Sequence, residues 1–241
     1  MKVRLAAAFA LIATPALAWD SAQFEWLTPI IHPTHSYLTE YAIDQIREEY
    51  PVLDEYRDIL IEGANAELHE LPVEGVKYGI DLEAKRRQHN GTNAGSDDVP
   101  GWWQEALGAH RAGNDEQAYF YLGVVLHMIE DMGVPAHANG IYHQGNLTEF
   151  DNFEAMALQR WDPDFSSINR ADPQYGSPAD YYAVSQDWAA ADAPDYRDTD
   201  TFSKTWLTAS DEEEDLVRAR QSRTATVVMW ALRRAMIGFE D

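Results

Sequence analysis

The chain has no cysteine among its 241 residues. No disulfide closes a loop, so in an oxidising compartment burial or bound metal must supply the stability that cross-links give many exported proteins. Long apolar runs are missing too. The stretch from Leu5 to Ala13 is too short to span a bilayer, and no other segment approaches the roughly twenty residues that a spanning helix needs. Positive charge is scarce, with 18 Lys and Arg against 41 Asp and Glu and a formal net charge of −23. That surplus repels polyanions unless a metal or a local patch offsets it, which disfavours nucleic acid as a partner. There is also no strand-like alternation and no internal repeat.

What is present begins with a leader. Lys2 and Arg4 precede the apolar stretch, and Ala16-Leu17-Ala18 has the small-x-small form of a secretory cleavage site. Residues 1–18 are therefore expected to be a signal peptide, and 19–241 a single domain in the periplasm or outside the cell, active as a monomer. Cleavage after Ala18 leaves Trp19 first, and a free α-amino group with its own carbonyl can chelate a metal. Some residue must follow any cleavage site, so the aromatic alone decides nothing.

Periodicity predicts helices throughout. Thr34 caps one that runs from His35 towards Pro51, with Leu38, Ala42 and Ile46 on one face. A second covers Asp54 to about Leu68, where Leu60, Ala64 and Glu67 fall at i, i+4 and i+7, so that Glu67 points inward. Asn90 to Gly101 reads as a loop. The clearest helix spans Asp115 to Met132, with Phe120, Val124, His127 and Asp131 on one stripe. Pro135 stops it, and Thr148 can cap another helix holding Phe150, Phe153 and Met156. Asp162 to Thr208, rich in Asp, Pro, Tyr and Ser, reads as mostly loop with short helices. Ser210 and Glu213 form a capping box before Leu216 to Ile237, whose core stripe is Val228, Leu232 and Met236. The expected fold class is all-α, one multi-helix domain.

The run HMIEDMGVPAH, residues 127 to 137, concentrates the chemistry. His127 and Asp131 lie one helical turn apart, a spacing at which two ligands grip one ion. His137, just past the Pro135 break, arrives from another backbone direction and suits a neighbouring ion. The same residues could instead form a buried His–Asp hydrogen bond beside a loop histidine.

Over this run the chain resembles the zinc-dependent phospholipase C family of bacteria, secreted enzymes holding three zinc ions. AYFYLGVVLHMIEDMGVPAHAN, from Ala118, is similar to the family's core helix with its H-x-x-x-D-x-x-x-P-x-H pattern. The resemblance implies that His127 and Asp131 share one zinc, that Asp131 bridges to a second, and that His137 binds another. HSYLTEYAID resembles the helix that opens on a ligand histidine, which implies that His35 joins Trp19 and Asp131 around one ion. IEGANAE sets Glu67 where an acidic ligand and general base belongs, with a longer side chain than the family's aspartate. His89, in QHNGTN, stands for a ligand histidine without the Phe and Pro that accompany it in the family. In LTEFDNF the family's His-x-x-x-Glu pair becomes Leu147 and Asp151. Leu147 cannot bind zinc, so His143 substitutes, or that ion keeps fewer protein ligands and more water, or it is absent. Glu149 and Glu154 are read as solvent-facing charges, and His32, His69 and His110 as surface or packing residues.

The implied reaction is hydrolysis of phospholipids to diacylglycerol and a phosphorylated head group. Up to three zinc ions would act as Lewis acids on phosphate oxygens and acidify a bound water, which Glu67 would orient or deprotonate. No protein nucleophile is needed, consistent with the absence of cysteine and of a G-x-S-x-G elbow. Exposed aromatics such as Trp102 and Trp103 would meet the membrane or micelle surface. The zinc-dependent single-strand nucleases are also similar across the core motif, but place Gly before the Asp and His-Gln-Pro-Leu after it. Here Glu130 precedes Asp131 and Gly133-Val134-Pro135-Ala136 follows. A non-catalytic zinc-binding helical protein is the remaining alternative.

Overall fold

Two glycines set the helix crossing on which the site depends. In the computed structural model of the chain, Gly63 and Gly123 face each other where two helices meet. A Cβ on Gly63 would lie 2.9 Å from the Gly123 Cα, and one on Gly123 would lie 2.7 Å from the Gly63 Cα. Each would come closer still to a carbonyl oxygen of the facing helix, Phe120 and Leu60 respectively. Only a residue without a side chain permits that approach.

The structure describes residues 34–65, 76–77, 80–81, 99–139, 152–168, 170–194, 202–203 and 205–241. Its helices are α1 Thr34–Ile46, α2 Val52–Glu55, α3 Arg57–Ala64, α4 Val99–Arg111, α5 Asp115–Asp131, α6 Pro135–Ala138, α7 Asn152–Gln159, α8 Tyr181–Asp192 and α9 Asp211–Glu240. Short 3-10 turns occur at Phe165–Ser167 and Pro178–Asp180. The fold is predominantly helical, as composition and periodicity indicate. Among the described residues the one departure is a two-residue antiparallel ladder, β1 Val76–Lys77 with β2 Ile80–Asp81, paired Val76 to Asp81 and Lys77 to Ile80. Among the described residues no helix is long and apolar enough to cross a membrane.

Helix α5 is the centre. Every residue from Ala118 to Asp131 is buried, because α1, α3, α4, α8 and α9 all pack on it. The single stripe that periodicity suggests is thus an understatement, since a helix enclosed on all sides is apolar all round. Helix α9 closes the bundle. Its capping box forms as the sequence indicates, with the Ser210 N–H donating to Glu213 at 2.7 Å and the Glu213 N–H to the Ser210 hydroxyl at 3.3 Å. Asp211 to Glu214 fill its first turn, where the helix dipole favours negative charge.

Four local readings change. The helix expected over Asp54 to Leu68 breaks at Tyr56, whose ring stacks on Tyr119 at 4.3 Å, and α3 stops at Ala64. Tertiary packing overrides propensity there. Pro100 and Gly101 belong to the first turn of α4 rather than to a loop, a place where proline's missing N–H costs little. Trp102 and Trp103 therefore sit on a helix. Trp103 is buried against Phe239 and Trp102 packs on the core, so this pair is not an exposed lipid contact. Finally, the expected loop from Asp162 to Thr208 contains the twelve-residue α8, on which Tyr181, Ser185, Trp188 and Ala189 face inward.

A smaller second core joins Val134 and Ala136 at α6, Phe153, Met156 and Ala157 on α7, and Val217 on α9. Beside it the buried Arg220 donates to the Gly133 carbonyl at 2.9 Å and to Asp192 at 2.8 Å. Burial pushes its guanidinium down to about 9, so it stays charged at neutral pH. The turn between α5 and α6 is thereby tied to α8 and α9, and Gly133 leaves room for the Thr224 side chain.

Candidate metal centre

Three of the expected ligands converge. His35 on α1 and His127 and Asp131 on α5 are buried, and one ligand atom from each lies within 4.8 Å of the others. The faces of the two helices explain this. His127, Glu130 and Asp131 are i, i+3 and i+4 on α5, and His35 and Thr39 are i and i+4 on α1, so each set shares one side of its helix.

Each imidazole is held from behind. The His127 Nδ1 donates to the Ala64 carbonyl at 2.8 Å. That carbonyl is within reach because Gly123, one turn before His127, lets α3 approach α5. A carbonyl only accepts, so Nδ1 carries a proton, and in the neutral ring Nε2 keeps the lone pair that a metal would take. The His35 Nδ1 meets Glu130 Oε2 at 2.7 Å, and the Thr39 hydroxyl donates to Glu130 Oε1 at 2.8 Å. The two rings stack with centroids 4.4 Å apart.

Both Nε2 atoms then face Asp131, one on each oxygen. His127 Nε2 is 3.2 Å from Oδ2 and His35 Nε2 is 3.5 Å from Oδ1. Two ligand atoms bound to one tetrahedral zinc at ordinary bond lengths stand about 3.3 Å apart. The donor set also fits, since imidazole nitrogen with carboxylate oxygen is a common zinc combination. Charge points the same way: Glu130 and Asp131 are both buried, and a bound cation would favour two such adjacent groups as carboxylates. Asp131 can bridge two ions, one beside each imidazole, or all three residues can share one.

A second pair lies past the turn. His137 on α6 has its Nε2 3.4 Å from Glu154 Oε1 on α7, with Glu154 buried and His137 largely so. Glu154 is therefore not the solvent-facing charge that its place in the sequence suggests. The second core carries the pair, because Ala136 and Phe153, their chain neighbours, are both packed in it. His110 is half-buried, bonded to Asp115 at 2.7 Å and to the Phe239 carbonyl at 3.0 Å, in keeping with a packing role.

Trp19, Glu67, His89 and Asp151, and with them His143 and Leu147, lie outside the described residues. The Asn65 side chain, two residues before Glu67, donates to Ser36 at 2.8 Å and ties the end of α3 to the start of α1. Sequence reading missed Glu130 and Thr39, although both share a helix face with a named histidine. Compared with protein-family models and with curated proteins, the chain matches none.

Proposed function

We propose that the protein is an exported zinc-dependent phosphodiesterase that hydrolyses phospholipids to diacylglycerol and a phosphorylated head group. One observation carries the metal half of this reading: a single buried carboxylate, Asp131, presents a different oxygen to each of two histidines whose opposite nitrogens are already held. His137 and Glu154 offer a second nitrogen and oxygen pair six and more residues on. Resemblance of the core motif to the bacterial phospholipases C supports the substrate class, and the net charge of −23 weighs against a polyanionic one.

Zinc, when bound, supplies a Lewis acid for phosphoryl oxygens and acidifies water. The chain's own part is to hold the ligands still. Ala64 and Glu130 fix which nitrogen of each imidazole faces inward, and burial keeps competing water from Asp131. By the resemblance, Glu67 would orient or deprotonate the attacking water, and Trp19 would join His35 as a ligand once the leader is removed.

The test is elemental analysis of the processed protein together with hydrolysis of phosphatidylcholine and of single-stranded DNA. Two or three zincs with lipid turnover support the proposal. Turnover of DNA instead moves the assignment to the nuclease chemistry, and bound zinc without turnover of either leaves a metal-binding helical protein.

A further inference from the structure

Asp131 faces two histidines that are supported differently. Behind His127 stands a neutral group, the Ala64 carbonyl. Behind His35 stands a carboxylate, Glu130, at 2.7 Å, whose other oxygen is occupied by the Thr39 hydroxyl at 2.8 Å. His35, Thr39 and Glu130 are all fully buried. A carboxylate hydrogen-bonded to the far nitrogen of an imidazole locks its tautomer and orientation and makes the near nitrogen a stronger donor to a metal. A carbonyl locks the ring but adds no charge. The two sides of Asp131 are therefore unequal in field as well as in position.

Helix geometry makes the device self-contained. Glu130 and Asp131 are consecutive, so adjacent residues of α5 face His35 on both sides, Glu130 at 2.7 Å from Nδ1 and Asp131 at 3.5 Å from Nε2. Thr39, one turn along α1 from His35, pins the outer carboxylate in place. A buried carboxylate satisfied in this way is not available as a ligand itself, so its role is exerted through His35.

Resting on the reading of this group as a metal centre, we infer that Glu130 is a positioning residue that makes the His35 side of Asp131 the tighter metal position, with Thr39 holding Glu130 in register. The experiment compares zinc affinity, by competition with a chromophoric chelator, in the processed wild type, Glu130→Gln and Thr39→Val. Thermal unfolding of each metal-free protein is measured alongside. Glu130→Gln should weaken the tightest zinc step by about 10- to 100-fold, the usual cost of losing such an outer partner. Its metal-free unfolding temperature reads separately whatever stability the His35–Glu130 hydrogen bond gives the fold without metal. Thr39→Val should weaken the same step by a smaller factor, and it tests the idea separately if the glutamine variant does not fold.

Unchanged zinc affinity in both variants, with a lower metal-free unfolding temperature, overturns the inference and leaves Glu130 a purely structural group. A wild type that binds no zinc overturns the metal-centre reading itself, which is a different failure from equal binding by wild type and variants.

Discussion

Replacing Gly123 with alanine should destabilise the protein, although it sits in the middle of the seventeen-residue helix α5, where alanine is favoured by about 1 kcal/mol on intrinsic propensity. The new Cβ would lie 2.7 Å from the Gly63 Cα and 2.8 Å from the Ala64 nitrogen, and nearer still to the Leu60 carbonyl oxygen. Carbon contacts are relaxed only at about 3.5 Å or more, so α3 would have to retreat by roughly 1 Å. Its partners are backbone atoms, which cannot swing aside as a side chain can. Overpacking of this kind costs about 3 kcal/mol at the upper end of its usual range. After the propensity gain, the net loss is about 2 kcal/mol, or roughly 4–8 °C in unfolding temperature for a chain of this size. The retreat should also stretch the Ala64–His127 hydrogen bond and lower zinc affinity. Urea unfolding with and without a chelator measures both effects. Gly108→Ala is the control: Gly108 is an exposed position in α4 with no described atom within 4 Å of an added Cβ, and it should gain up to about 1 kcal/mol. A Gly123→Ala protein as stable as wild type would refute the close-crossing argument.

Trp103→Ala should cost about 3–5 kcal/mol, as loss of a buried aromatic does, because Trp103 stacks on Phe239 inside the bundle. Calorimetry reads that loss, and any residual activity should fall equally on vesicles and on soluble short-chain lipids. Glu213→Ala should lose about 1 kcal/mol at neutral pH by removing a helix cap. Burial pushes the Glu213 carboxyl up, but hydrogen bonds from Ser210 and Ser203 outweigh it and hold the carboxyl below its ordinary value. A depressed acid stabilises above its unfolded pKa and stops doing so as pH falls through its folded one. The difference between wild type and variant should therefore shrink on acidification below the usual carboxylate range, which urea titrations at a series of pH values would show.

The helices and the heart of the site were legible in the sequence where one face of a helix carries one environment. His127 and Asp131 declare themselves because a turn separates them on an apolar stripe, and His35 because it opens a periodic helix. Glu130 was harder to place, since i+3 from a ligand reads as a change of letter until α1 is seen to supply His35 and Thr39 opposite it. Glu154 reads as solvent-facing by charge alone, yet α6 and α7 close over it. Composition was misleading for α8, where Tyr181, Ser185, Trp188 and Ala189 keep a helical period inside a segment whose Asp and Pro suggest loop. Nothing local marks the break at Tyr56, which depends on a ring 63 positions away on α5. Trp102 and Trp103 show the converse error, because adjacent aromatics look available until α4 and α9 are packed together.

The buried His35, His127 and Asp131 could hold a metal, and anomalous diffraction at the zinc edge from crystals of the processed protein would locate it. The expected result is a peak about 2.0–2.2 Å from the Nε2 of each histidine and from Asp131, as one shared ion or as two bridged by that carboxylate. A map without a peak, from crystals grown with zinc present and with both imidazoles hydrogen-bonded directly to Asp131, would contradict it.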